Sequence, residues 1–310
     1  MAGKVFHENI YSMGTRFDVV FPSLDQKTGQ AVFNEITQKL KHIEHLLNRH
    51  EASSRLNKIN QEAAYEEQII EADLWEILSA CREFHQKTYG AFDITIAPLM
   101  KLWNIKHGYK IDLFEPSEEE IKNVLGIVGM DLLDFQDHSK TLRFKKEGVQ
   151  IDFGGFAKGF ALEKIKDILQ YHNITDAFIS FGESSILGIG SHPYSDSWKT
   201  GVTHMIEKND SIYTFNLNNQ AISNSGSNIS ETGFNKYGHI INPKTGYPVK
   251  GNITISVFSA SPVEAEILSS SLLVSEPGQK KKILNNFPGC RAVQFEYPNM
   301  DKEVKVTELN

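Results

Sequence analysis

Cysteine is nearly absent. Cys81 and Cys290 are the two in 310 residues, far apart and without CxxC spacing. That excludes a thiolate metal cluster and gives no sign of a disulfide framework; a lone cysteine is most often a small buried hydrophobe. Proline is sparse, at ten residues, and no low-complexity tract or fixed-period repeat occurs, which excludes Pro-rich linkers and solenoids. No apolar run approaches the roughly 20 residues of a membrane span. The first residues, "MAGKVFHENIYSMG", carry no signal-peptide core. Basic charge is short as well. Thirty-nine acidic residues against thirty-two Lys and Arg leave a net charge of -7, the wrong sign for neutralising nucleic-acid phosphates, and the run Lys280–Lys282 sits on a predicted helix.

What is present describes an ordinary globular chain, 40% hydrophobic and 23% charged, long enough to bury a full core. The stretch "YSMGTRFDVVFP" reads as a strand. Val32, Ile36, Leu40, Ile43 and Leu47 recur at helical spacing over "QAVFNEITQKLKHIEHLLNRHE". Further helices are predicted over "ADLWEILSACREFHQKTYG", with Gly90 as its stop, and over "SEEEIKNVLGIVG", where Ser117 precedes an acidic first turn. Beyond residue 130 short β-rich runs dominate: "LRFKKEGVQIDFG", "DAFISFGESSILGIG", "WKTGVTH", "SIYTFNL" and "NITISVFSA". Helices are also predicted over "FALEKIKDILQYH", "PVEAEILSSSLLV" and "GQKKKILNNF". Helices and strands mix without regular βα pairing, so the fold class is α+β.

Four stretches carry residues suited to chemistry. "IDFGGFAKGF", residues 151–160, runs from an apolar segment through a Gly-rich turn into a helix. It matches neither a Walker loop nor GxGxxG, yet free N–H groups, a helix N-terminus and Lys158 together attract an anion; a tight turn beside a solvated lysine has the same composition. In "YGAFDITIAPLMKLWN", Asp93 sits among apolar neighbours, where a carboxylate is costly unless something bonds to it. An Asx turn would satisfy it as well as a ligand would. "YGHIINPKTGYPV" gathers His239, Asn242, Lys244 and Thr245 in one turn-rich segment. Glu266 and Ser270 in "ASPVEAEILSSSLLV" are spaced i and i+4, hence on one helix face, as a hard cation such as Mg²⁺ would use them. Helix capping by Ser and Glu gives a similar pattern.

Taken in order, "SMGTRFD", "SSRLNKIN", "YGAFDITIAPLMKLWN", "IDFGGFAKGFALEKI", "SGSNISE", "GHIINPKTGYPV" and "ITISVFSASPVEAEILSSSLL" resemble the ApbE family of FAD:protein FMN transferases, once called thiamine biosynthesis lipoproteins. The resemblance covers residues 11–274, an ApbE-like domain, with 275–310 as its C-terminal extension. It implies two lobes of mixed sheet and helix around a flavin cleft. It also implies an activity: FMN passes from FAD to a threonine hydroxyl of a partner flavoprotein subunit, with Mg²⁺ assisting and AMP leaving. That acceptor can be membrane-associated, and nucleic acid is not a partner.

Carried over residue by residue, the resemblance places Met13, Tyr65, Ala91, Phe92, Asp93, Asp152, Lys158 and Ile241 around FAD. His239 would be the general base and Lys158 the catalytic cation. Gly155, through its carbonyl, would join Glu266 and Ser270 as metal ligands. Here the family's last block, close to A-D-A-x-A-T-A, reads Ala265-Glu266-Ile267-Leu268-Ser269-Ser270-Ser271: Glu lengthens the acidic arm by one methylene, and Ser retains the hydroxyl of Thr. "N-x-G-G" has become "SFGESS" and "H-I-I-D-P" has become "HIINP". An alternative function follows from these changes, namely an FAD-binding homologue without transfer, or a slow pyrophosphatase giving FMN and AMP. Two localisations stand open, export with a leader removed from this sequence, or the cytoplasm.

Overall fold

The computed structural model describes residues 5–106, 109–110, 115–204, 211–227, 238–298 and 303–309. Its centre is an eight-stranded sheet. Numbering only the strands of this sheet, they are β1 (Phe6–Ser12), β2 (Thr15–Phe21), β3 (Ala177–Phe181), β4 (Ser185–Ile189), β5 (Gln220–Gly226), β6 (Ile253–Ser259), β7 (Arg291–Glu296) and β8 (Lys305–Leu309). Every neighbouring pair is antiparallel, and strand order follows chain order from β1 to β8. The stretch expected as one strand at the start is a hairpin: Met13 and Gly14 both take positive φ, 48° and 76°, as a two-residue hairpin turn demands.

One face of the sheet is covered by helices. α1 (Gln26–Leu47) buries Val32, Ile36, Leu40, Ile43 and Leu47, the predicted stripe, and its start is capped by the Asp25 carboxylate. α2 (Arg55–Glu62) and α3 (Ala72–Lys87) join α1. α4 (Ala97–Leu102) and α5 (Glu118–Leu125) build a small satellite core of Leu99, Trp103, Ile105, Ile121 and Ile241. Ser117 caps α5 in a reciprocal capping box with Glu120. α6 (Ala157–Tyr171) packs between α1 and α7 (Pro262–Leu273), and α7 lies on β5 and β6. α7 is buried almost all round, as expected of a helix sandwiched between layers. Short α8 (Pro277–Leu284) follows.

On the other face an antiparallel ribbon, Trp198–Thr203 with Ser211–Leu217, closes a second core of Trp198, Phe215, Leu217, Phe295 and Tyr297. Among the described residues no helix is long and apolar enough to cross a membrane.

Candidate functional site

Two helices are brought into close contact by one glycine. A Cβ on Gly159 would lie 2.7 Å from Glu266 Cβ and from the Pro262 carbonyl oxygen. Only a residue without a side chain lets α6 approach α7 this closely. The approach sets Lys158, in the first turn of α6, beside Glu266, in the middle of α7: Lys158 Nζ is 3.2 Å from Glu266 Oε1. Glu266 is 6% exposed.

Such a carboxylate must be bonded, and it is. Its Oε2 accepts from Ser185 Oγ at 2.6 Å and Ser223 Oγ at 2.9 Å. Lys158 itself donates to Ser184 Oγ at 2.8 Å and Ser185 Oγ at 3.0 Å. A ladder of hydroxyls continues behind: Ser269 Oγ lies 3.1 Å from Ser223 Oγ and 2.8 Å from Ser225 Oγ.

The loop before α6 completes the arrangement. Asp152 pairs with Arg49, Nε to Oδ2 at 2.5 Å, both side chains about 15% exposed, and it accepts from the Gly154 N–H. Asn60 brackets Ile151 from both sides, donating to its carbonyl and accepting from its N–H, so α2 fixes where the loop begins. A Cβ on Gly155 would lie 3.8 Å from Ser270 Oγ, so those two predicted ligands are neighbours. Among the described residues no side chain caps the N-terminus of α6, which leaves that end to attract an anion.

His239 is half-buried, and its pKa is lowered, first by burial and then by the charge of Lys158. The imidazole is therefore neutral at pH 7 and able to accept a proton. Asp93 caps a short 3-10 turn, accepting from the Thr95 N–H and hydroxyl, and lies 3.5 Å from His85 Nδ1. The Asp152 N–H donates to the Ile94 carbonyl, tying the two aspartate segments together. Asp93, His85, Tyr89, Gly90, Gly129 and Lys244 line an open cleft of about 610 Å³.

Lys158 and Glu266 thus meet directly, Gly155 and Ser270 are neighbours, Asp152 stands on the same loop as Gly155, and His239 lies within reach of the charge of Lys158. The others are arranged differently. Met13 forms the hairpin turn, and its N–H donates to Glu44; the turn meets the β3–β4 turn, where the Gly182 N–H donates to the Arg16 carbonyl. Tyr65 is exposed and donates to Glu147 Oε1 at 2.6 Å. Ala91 and Phe92 are nearly buried, and Ile241 packs into the satellite core, so backbone is what Ile241 has to offer a ligand. The part of "SGSNISE" after Ser227, and Tyr237, lie outside the described residues.

Sequence reasoning missed Arg49, Ser184, Ser185, Ser223 and His85. Ser184 and Ser185 fall in "SFGESS", a block that departs from the family pattern; Arg49 and Ser223 carry no such signal.

No group of three or more His, Cys, Asp or Glu able to hold a metal occurs among the described residues. The predicted set is of another kind, two neutral oxygens and one carboxylate. Hard oxygen donors of this sort fit Mg²⁺, which completes its shell with water and phosphate oxygens. Glu266 fits only once it releases Lys158.

Comparison with known proteins gives consistent matches. The ApbE family model matches residues 13–294. FAD:protein FMN transferase of Buchnera aphidicola is 29% identical, over 85% of this chain and 78% of that one. The Escherichia coli K12 protein of the same name is 23% identical, over 88% and 79%. Among solved structures, the ApbE protein of Thermotoga maritima superposes with a TM-score of 0.81 at 26% identity, covering 94% of each chain. The flavin transferase ApbE of Vibrio cholerae gives 0.82 at 20% identity, over 98% and 97%, a likeness of fold. The match over residues 13–294 shows that the chain belongs to the ApbE family.

Proposed function

We propose that this chain transfers FMN from FAD to a threonine hydroxyl of an acceptor protein, releasing AMP. The observation that carries the reading is the meeting of Lys158, in the first turn of α6, with Glu266, near enough to His239 for the lysine charge to lower the imidazole pKa. One cation, one base and a helix N-terminus around a Gly-rich turn suit a pyrophosphate under attack by a hydroxyl.

The threonine oxygen attacks the phosphorus of the FMN half. A new P–O bond forms, the bond from that phosphorus to the bridging oxygen breaks, and the oxygen leaves with AMP. Neutral His239 takes the threonine proton. Lys158 supplies positive potential where charge builds on the phosphoryl oxygens. The uncapped N–H groups of α6 orient the same oxygens, and alignment does most of the work in phosphoryl transfer. The cleft beside Asp93 has a size common for small-ligand pockets and would receive one end of the dinucleotide. Mg²⁺ would be held by the Gly155 carbonyl, Glu266 and Ser270; when bound it neutralises pyrophosphate charge.

The second reading, FAD cleavage to free FMN and AMP, is favoured by one feature: the Glu266 carboxylate is already engaged by Lys158, Ser185 and Ser223. Incubation with FAD, Mg²⁺ and a threonine-bearing acceptor domain separates the two. A covalent FMN adduct supports transfer; free FMN with unmodified acceptor supports hydrolysis.

A further inference from the structure

Glu266 is the one acidic side chain among the predicted metal donors, and its two oxygens are used unequally. Oε2 is held by two short hydroxyl bonds from Ser185 and Ser223. Both donors stand on strands of the central sheet and are themselves buried, so that side of the carboxylate is fixed. Oε1 faces Lys158 Nζ at 3.2 Å. The ammonium occupies the oxygen that the two serines leave free, where an arriving cation would have to replace it.

Lys158 is less tightly committed. It remains 22% exposed against 7% for Glu266, and its other partners are neutral hydroxyls. Its long stem lets the ammonium swing toward a neighbouring anion at small cost. A pyrophosphate at the start of α6 is such an anion.

We infer that Lys158 and the divalent cation are alternative occupants of Glu266 Oε1, so that nucleotide binding draws Lys158 onto the phosphates and opens the carboxylate to the metal. This rests on the reading of the site as a pyrophosphate pocket. Ser185 and Ser223 are then positioning residues: they keep the carboxylate in place while its cation is exchanged. Metal and nucleotide binding become coupled, each raising affinity for the other by the same factor. Without nucleotide the protein holds its own counter-ion and leaves the metal in solution.

The test is direct titration with Mn²⁺, followed by electron paramagnetic resonance of the free ion, on the full chain with and without FAD. FAD binding is followed separately by flavin fluorescence, and its integrity by chromatography. Wild type is expected to bind Mn²⁺ weakly alone. Lys158→Gln, which removes the ammonium from Glu266 Oε1, is expected to bind Mn²⁺ about tenfold more tightly than wild type in the absence of FAD, and to gain correspondingly less from adding FAD. Lys158→Met, which keeps the long stem without the charge, is expected to behave likewise and stands in if Lys158→Gln does not fold. Equal Mn²⁺ affinity of wild type and a folded variant without FAD overturns the exchange. If wild type binds no FAD while either variant still gains Mn²⁺ affinity, the exchange stands and the pyrophosphate reading fails.

Discussion

Lys158 and Glu266, remote in sequence, form a partly buried ion pair 3.2 Å long that links the first turn of α6 to the middle of α7. Near it lie the residues proposed to carry the transfer. Its consequences can be measured.

Lys158→Ala removes the cation aimed at the pyrophosphate. Loss of one preorganised charge or donor lowers the rate by about 10²–10³ in comparable sites, and that fall in kcat for FMN transfer is the expected outcome. Lys158→Arg is expected to recover little, because a planar guanidinium cannot donate to Ser184, Ser185 and Glu266 as the ammonium does.

His239, as the proposed base, is expected to set the acid limb of the pH profile. Burial and the charge of Lys158 both lower its pKa below the ordinary imidazole value of 6.5, so the base stays unprotonated, and activity stays high, to below that pH. In Lys158→Gln the burial contribution remains and the charge contribution goes, so the limb moves up toward 6.5. Kinetics of kcat/KM against pH in both proteins check the sign. His239→Ala is expected to cost about 10²–10⁴ in kcat.

Gly159→Ala tests the helix contact. The new Cβ meets Glu266 Cβ and the Pro262 carbonyl at 2.7 Å, and backbone cannot yield cheaply. Overpacking of this kind costs about 1–3 kcal/mol, readable by urea unfolding. Separation of α6 from α7 is also expected to weaken FAD binding.

Arg49→Ala leaves Asp152 with the Gly154 N–H and no counter-ion. A loss of about 1–3 kcal/mol in stability is expected for stranding such a group. The double variant Arg49→Ala/Asp152→Ala is expected to lose less than the sum of the two single changes, since the pair acts as a unit.

Much of this was legible in the sequence where one local rule was sufficient. The stripe from Val32 to Leu47 and the capping box at Ser117 appear as read, and "SIYTFNL" forms the strand Ser211–Leu217. The opening hairpin was misread because Met-Gly lacks the Asn or Asp that usually marks such a turn. β7 and β8 escaped notice for opposite reasons: Ala292, Val293, Gln294 and Phe295 are all buried, so no alternation shows, while Lys305–Leu309 is an exposed edge. Of "LRFKKEGVQIDFG" only the first three residues are strand, the end of Thr141–Phe144.

Site residues were legible as motifs, and their partners were not. Nothing local announces that Arg49 will reach Asp152, or that serines on two strands will grip Glu266; both contacts are created by packing between distant elements.

The central claim is tested most directly by mass spectrometry of a threonine-bearing acceptor domain after incubation with this protein, FAD and Mg²⁺. The account predicts acceptor heavier by one FMN less one water, with AMP released in equal amount and no adduct when the acceptor threonine is replaced by alanine. Unmodified acceptor beside intact FAD, or beside free FMN and AMP, would contradict it.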